Sequence, residues 1–140
     1  MSIFDIFKRT DSGESLGARG EREAAKYFRG LGFRIVEMNY RSSHYEIDFI
    51  AESRDVIVFV EVKSRSCSSP DDMPFGRPAF AVTKDKQRFL LYAAKAYMRA
   101  HPNLKKQPRL DVIEMYYDNS PEVKTKKLLK INHIPNAFGQ

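Results

Sequence analysis

The 140-residue chain is 42% apolar, enough to build the core of one compact domain and too short for two of ordinary size. Its 24 Lys and Arg against 18 Asp and Glu give a net charge of +6, which suits a polyanionic partner. A single cysteine, Cys67, excludes an intrachain disulfide and a cysteine-based zinc site, and fits a reducing compartment.

Residues 1–14 interrupt the apolar Ile3, Phe4, Ile6 and Phe7 with Asp5 and Lys8, then run through Thr10-Asp11-Ser12-Gly13-Glu14. That pattern is too short and too broken for a signal peptide or a membrane span. It reads as a flexible lead-in to a domain over 15–140, with a cytoplasmic location and no membrane partner expected. Ser15 is the candidate N-cap of a helix that runs to about Leu31, where Gly30 and Gly32 supply stop signals. Leu16, Gly20, Ala24, Tyr27 and Leu31 form its inner stripe, with Glu21 and Glu23 on opposite edges; periodicity does not choose between the two acids. Phe33–Glu37 is a first strand, and Asn39–His44 a polar connection. His44, His101 and His133 lack partners at metal-ligand spacing and read as surface residues.

Two strands follow. Glu46–Ile50 places Ile47 and Phe49 on one face, Glu46 and Asp48 on the other. Val56–Lys63 reads as a buried central strand whose Ile57, Phe59, Glu61 and Lys63 share a face opposite Val56, Val58, Val60 and Val62. Glu52–Asp55 is a turn between them, so the strands pair antiparallel and bring Asp48 beside Glu61. Carboxylates crowded at the end of a buried strand repel one another and lose hydration, which calls for protonation, pairing or a cation. A hard divalent ion, Mg2+ or Mn2+, takes such oxygen ligands and leaves positions for water and phosphate, with Lys63 facing either. The competing reading is an ordinary Glu61–Lys63 ion pair at a solvated strand end, with Asp48 a turn residue.

The segment from Ser66 to Pro74 is a long loop leaving the strand end, a candidate substrate flap; its Asp71 and Asp72 read as solvated. A helix over about 82–100 has the apolar stripe Val82, Phe89, Leu90, Ala93 and Tyr97. Lys86 falls inside that stripe and Gln87 beside it, while Lys84, Arg88 and Lys95 lie opposite. An inward-facing ammonium needs an anionic partner or an aqueous cleft, and the acidic strand end offers the first. Arg109–Tyr117 is a further strand with Leu110, Val112 and Tyr116 toward the core. The run Lys124, Lys126, Lys127 and Lys130 is either a nucleic-acid contact, with Tyr116 and Tyr117 stacking on bases, or a solvated edge. This order of helices and strands fits an α/β sandwich with a mixed central sheet flanked by helices.

The pattern Glu46-Ile47-Asp48 followed by Phe59-Val60-Glu61-Val62-Lys63 resembles the PD-(D/E)XK nuclease superfamily, in particular its YraN-like branch of small bacterial proteins. The resemblance extends through Gly20-Glu21, Asn39-Tyr40-Arg41, Phe75-Gly76, Lys86-Gln87, Arg109-Leu110-Asp111-Val112, His133-Ile134 and Asn136-Ala137-Phe138. The chain departs from the branch at Tyr45, where Gly is usual, which bears on how closely a substrate backbone approaches. The resemblance implies a restriction-endonuclease-like three-layer sandwich and a metal-dependent DNA endonuclease acting on branched or junction DNA. It implies Asp48 and Glu61 as metal ligands with the Val62 carbonyl as a further one, Lys63 as the residue that positions the attacking water and stabilises developing charge, Glu21 as an auxiliary acid, and Lys86-Gln87 as an auxiliary pair. The alternative is a non-catalytic nucleic-acid-binding module that kept the fold. Symmetric double cutting further implies a homodimer, for which Ser66–Pro78, with Met73 and Phe75, and Ile134–Phe138 are the interface candidates.

Overall fold

The computed structural model describes residues 14–67, 82–119 and 126–138. In chain order they form helix α1 (Leu16–Gly30), strands β1 (Arg34–Ser42), β2 (Tyr45–Glu52) and β3 (Val56–Cys67), helix α2 (Lys84–Ala100), and strands β4 (Gln107–Asp118) and β5 (Leu128–Ile134). Both helices start on hydroxyl caps that satisfy an otherwise orphaned amide: Ser15 Oγ accepts from Ala18 N and Thr83 Oγ1 from Lys86 N, each at 3.1 Å. Helix α1 ends where Gly32 adopts a φ of 98°, a conformation that side chains rarely take.

The five strands form one mixed sheet in the order β1-β2-β3-β4-β5. The first three make an antiparallel meander, β4 runs parallel to β3 after the crossover through α2, and β5 returns antiparallel along β4. No helix among the described residues is long and apolar enough to cross a membrane. Strand β3 feeds two separate cores. Ile57 and Phe59 join Ile47, Ile50, Leu90 and Tyr97 under α2, whereas Val58 and Val60 join Phe28, Phe49, Ile113 and Tyr117 under α1. A strand buried on both faces has no polar alternation to lose, which is why Val56–Val60 reads as one apolar run.

Several expectations change. Strand β1 continues to Ser42, so the polar connection shrinks to Ser43-His44, with Ser43 at a φ of 59°. Ile47 and Phe49 do not share a face: they belong to opposite cores, and the alternation breaks at Asp48. Phe28, four residues beyond Ala24, fills the α1 core in place of Leu31, which is exposed at the helix end. Leu90, Ala93, Ala94 and Tyr97 complete the α2 stripe and leave Phe89 outside it. Tyr116 and Tyr117 are both buried, because β4 is a central strand, and neither is free to stack on a base. Lys126 and Lys127 precede edge strand β5, where the Lys126 ammonium donates to Asn119 Oδ1 and its carbonyl accepts from Arg19; Lys124 lies outside the described residues. Of the dimer-interface candidates, Ile134, Ala137 and Phe138 pack against the α2-side core, and Met73 and Phe75 lie outside the described residues, as do Asp71 and Asp72.

Helix α1 lies close on β3 at Gly20. A Cβ there would sit 1.8 Å from Ser64 Oγ and 3.2 Å from its Cβ, and that hydroxyl is buried without a hydrogen-bond partner. Gly20→Ala should therefore destabilise the fold by about 1–3 kcal/mol, the usual cost of overpacking. Ser64→Ala in the same chain should restore a large part of that loss, and thermal denaturation of the three variants checks the coupling.

Candidate functional site: an acidic pair at a fork in the sheet

The β2–β3 ladder pairs Phe49 with Val60 through Glu52 with Ile57, and then stops. The first half of β2 stays with β1 down to Tyr45, and β3 stays with β4 out to Cys67, so the two strands part at Asp48 and Glu61. A fork leaves β3 amides unpaired, and a buried amide without an acceptor is costly. Asp48 supplies the acceptor: its Oδ2 takes the Val62 N–H at 2.7 Å. This bond holds the carboxyl in the fork.

Glu61 is 3% exposed and faces two ammonium groups, Lys63 Nζ at 3.5 Å and Lys86 Nζ at 3.6 Å. Both lysines keep about a third of their side-chain surface in solvent, so each can move away from Glu61 without leaving the cleft. The carboxyl groups of Asp48 and Glu61 also lie against each other, and each acts on the other's titration. Burial is the largest effect on both. It pushes Asp48 up to about 6, helped by the Glu21 carboxyl and opposed by Glu61 and the Val62 amide. It pushes Glu61 up to about 7, with the Asp48 charge adding to the rise and the two lysines opposing it. Two nearby cations fail to offset the desolvation.

Glu21 reaches this pair and Glu23 does not. The Glu21 carboxyl comes to Asp48 from α1 and helps to raise it, whereas Glu23 bridges Arg19 at 2.8 Å and accepts the Tyr117 hydroxyl at 2.8 Å, fastening α1 to β4. Lys86 arrives from α2 as its inward position requires. Gln87 is not brought to the carboxylates; its side-chain amide donates to Val82 O at 3.1 Å and holds the start of α2. His44 and His101 are exposed, as expected, His101 with its ring stacked on Tyr97 at 4.0 Å, whereas His133 is mostly buried and its Nε2 donates to Asp111 Oδ2 at 2.7 Å. Glu114, also 3% exposed, was not singled out from the sequence. It is the register neighbour of Lys63 across β3 and β4 and accepts from Asn132 Nδ2 at 2.8 Å. Its position inside an apolar stretch, Val112-Ile113-Glu114-Met115, is the signal that could have marked it.

Among the described residues no three His, Cys, Asp or Glu side chains form a closed cation cage. What the fork offers instead is two carboxyls with open positions beside them, the donor set that a magnesium-like ion accepts. A groove of about 310 Å3 opens on the Glu21 side, between α1 and Met38-Asn39.

Fold and site together define a small mixed-sheet α/β protein with a buried acidic pair faced by two lysines. The chain belongs to the uncharacterised protein family UPF0102, whose sequence profile matches residues 20–115. It is 40% identical to a UPF0102 protein of Caldanaerobacter subterraneus subsp. tengcongensis over 125 residues, 89% of this chain and 95% of the relative. A UPF0102 protein of Chlorobium phaeobacteroides is 38% identical over 123 residues, 88% of this chain and 93% of the relative. The YraN-like membership expected from the motifs is thereby established.

The raised carboxyl groups fix a sign for pH. Unfolded, Asp48 and Glu61 titrate near 3.8 and 4.5; folded, near 6 and 7, so between those values the native state holds more protons than the unfolded chain. Stability from this pair is therefore lost as pH rises from about 4 to about 7. Asp111 has the opposite shift and acts only at lower pH. In chelator, the melting temperature of the wild type should fall between pH 5 and pH 8, and Glu61→Gln should flatten that fall. Parallel curves for the two proteins would refute the assignment.

Proposed function

We propose that this protein is a divalent-cation-dependent endonuclease of the PD-(D/E)XK kind, with a restriction-endonuclease-like sandwich, that hydrolyses phosphodiester bonds of DNA. The observation that carries the reading is the convergence of Asp48, Glu61 and Lys63 at the fork, two carboxyls made unfavourable by burial beside an amine that keeps about a third of its side chain in solvent. A non-catalytic nucleic-acid-binding module would leave that cost without a return.

Bound Mg2+ or Mn2+ would neutralise the pair, lower the pKa of a coordinated water and polarise the phosphate. Asp48, oriented by the Val62 amide, and Glu61 would hold the ion, with the Val62 carbonyl as a further oxygen donor. Lys63, freed from Glu61 as the carboxylate turns to the ion, would orient the attacking water and stabilise charge developing on the phosphate. Lys86 would do the same from α2. Glu21 acts through Asp48, by fixing its orientation, and Gln87 acts at most through Lys86, by holding the helix start. One such cluster cuts one strand, so symmetric cutting of a junction would need a homodimer.

Labelled linear, flapped and four-way-junction DNA with Mg2+, Mn2+ or chelator tests the reading. Cleavage is expected only with an ion, and Lys63→Ala should lower it by about 10²–10⁴-fold, the usual worth of a proton-handling side chain. DNA affinity should stay close to wild type, since it is spread over many phosphates. Calorimetric Mn2+ binding should be lost in Asp48→Ala. Binding without cleavage under every ion would return the protein to the binding-module reading, and ion binding unchanged in Asp48→Ala would refute the metal site.

A further inference from the structure

One feature on the rim of the fork is not used by this chemistry. Phe89 and Tyr92, at i and i+3 on α2, are 44% and 53% exposed, unusual for rings of this size. They are not loose. The Tyr45 ring from β2 packs against both, tilted 30° to Phe89 at 5.2 Å and nearly parallel to Tyr92, 22° at 5.8 Å. Three rings from two elements therefore brace one another while two keep their outer surfaces in solvent.

The cluster also sits beside the site through the chain itself. Lys86, which reaches Glu61, lies one helical turn before Phe89 on α2, and Tyr45 lies three residues before Asp48 on β2. The same helix carries Lys84, Lys86, Arg88, Lys95 and Arg99 against a single acid, Asp85, which is engaged by Arg88. Braced exposed rings within a cationic helix surface match a strand that carries both flat bases and phosphates.

We infer that Tyr45, Phe89 and Tyr92 form a stacking platform for an unpaired base of the nucleic acid whose phosphate is addressed by Glu61 and Lys63. The inference rests on the nuclease reading and narrows its substrate class: DNA with at least one nucleotide out of the stack beside the cut, such as a flap, a gap or a branch, in preference to continuous duplex. A base inside a duplex is already stacked on both sides and gains nothing from the rings; an extruded one regains a stacking partner.

The test uses the full chain carrying Glu61→Gln to prevent cutting, and DNA with 2-aminopurine in a single-stranded flap. Binding should quench the probe. Adding Phe89→Ala and Tyr92→Ala should remove the quenching and weaken flap binding about tenfold or more, with duplex affinity nearly unchanged, while Phe89→Tyr with Tyr92→Phe should keep both signals. Equal flap affinity with and without the rings would overturn the platform. So would a wild-type dimer, seen by sedimentation, that the double alanine variant dissociates, since the rings would then cover a second copy. Wild-type cleavage of continuous duplex as fast as flapped DNA would overturn the platform and leave the nuclease standing; no binding to any DNA would remove the nuclease reading itself.

Discussion

The hydrogen bond from the Val62 amide to Asp48 is the constraint on which the site depends. Where β2 and β3 separate, the sheet would otherwise present a bare amide at the edge of a core. The aspartate resolves that by substituting a carboxylate for the missing backbone carbonyl, and in doing so is held against Glu61, with which it has no electrostatic reason to associate. At the same point Ile47 and Phe49 settle in opposite cores, while Ile50 returns to the side of Ile47. Architecture and chemistry are thus decided by the same few atoms.

Comparison with Asp111 shows what a buried acid looks like when its role is structural. Asp111 is 1% exposed, accepts two bonds from Arg109 at 2.8 Å, meets His133 Nε2 at 2.7 Å and accepts the Asn136 amide at 3.0 Å. Burial pushes its carboxyl up, but these donors outweigh it and hold the group below its usual value. Every lone pair has a partner, and the network ties the residues after β5 to the start of β4. Asp48 and Glu61 have fewer donors, each other as neighbours, and carboxyl groups held well above the ordinary range. Buried acids in one small protein thus fall into a satisfied kind and an unsatisfied kind, and only the second can gain by taking up a cation.

Much of this was legible in the sequence. The apolar run ending in Glu61 and Lys63, and a turn short enough to pair the two strands antiparallel, put Asp48 beside Glu61 from spacing alone; the fork itself was not legible. The inward position of Lys86 was legible because a charged side chain inside an apolar stripe breaks a strong pattern. Glu21 could be separated from Glu23 only by resemblance, since both flank the stripe of α1 and the decision lies in which strand each faces. The faces of Ile47 and Phe49 were misread because strict alternation assumes an unbroken ladder, and Asp48 breaks it. Tyr116 faces the core as expected, but Tyr117 is buried as well: β4 is covered on both sides, so alternation carries no information there. His133 was misjudged because its partner, Asp111, lies on a neighbouring strand and leaves no local trace.

The parallel pairing of β3 with β4 has a consequence for how the molecule assembles. Val56 finds Gln107, and Cys67 finds Asp118, across a long separation that includes the whole of α2, whereas Asp48 and Glu61 come from the two arms of one hairpin. Contacts of high sequence separation bear the larger loop-closure cost and tend to form late. The meander can therefore bring the two carboxyls together while α2, and Lys86 with it, is still undocked. Because burial is what raises both carboxyls, proton uptake is completed only as α2 docks and brings Lys86 with it, so the acidic pair bears on the late, long-range step of assembly as well as on the final stability.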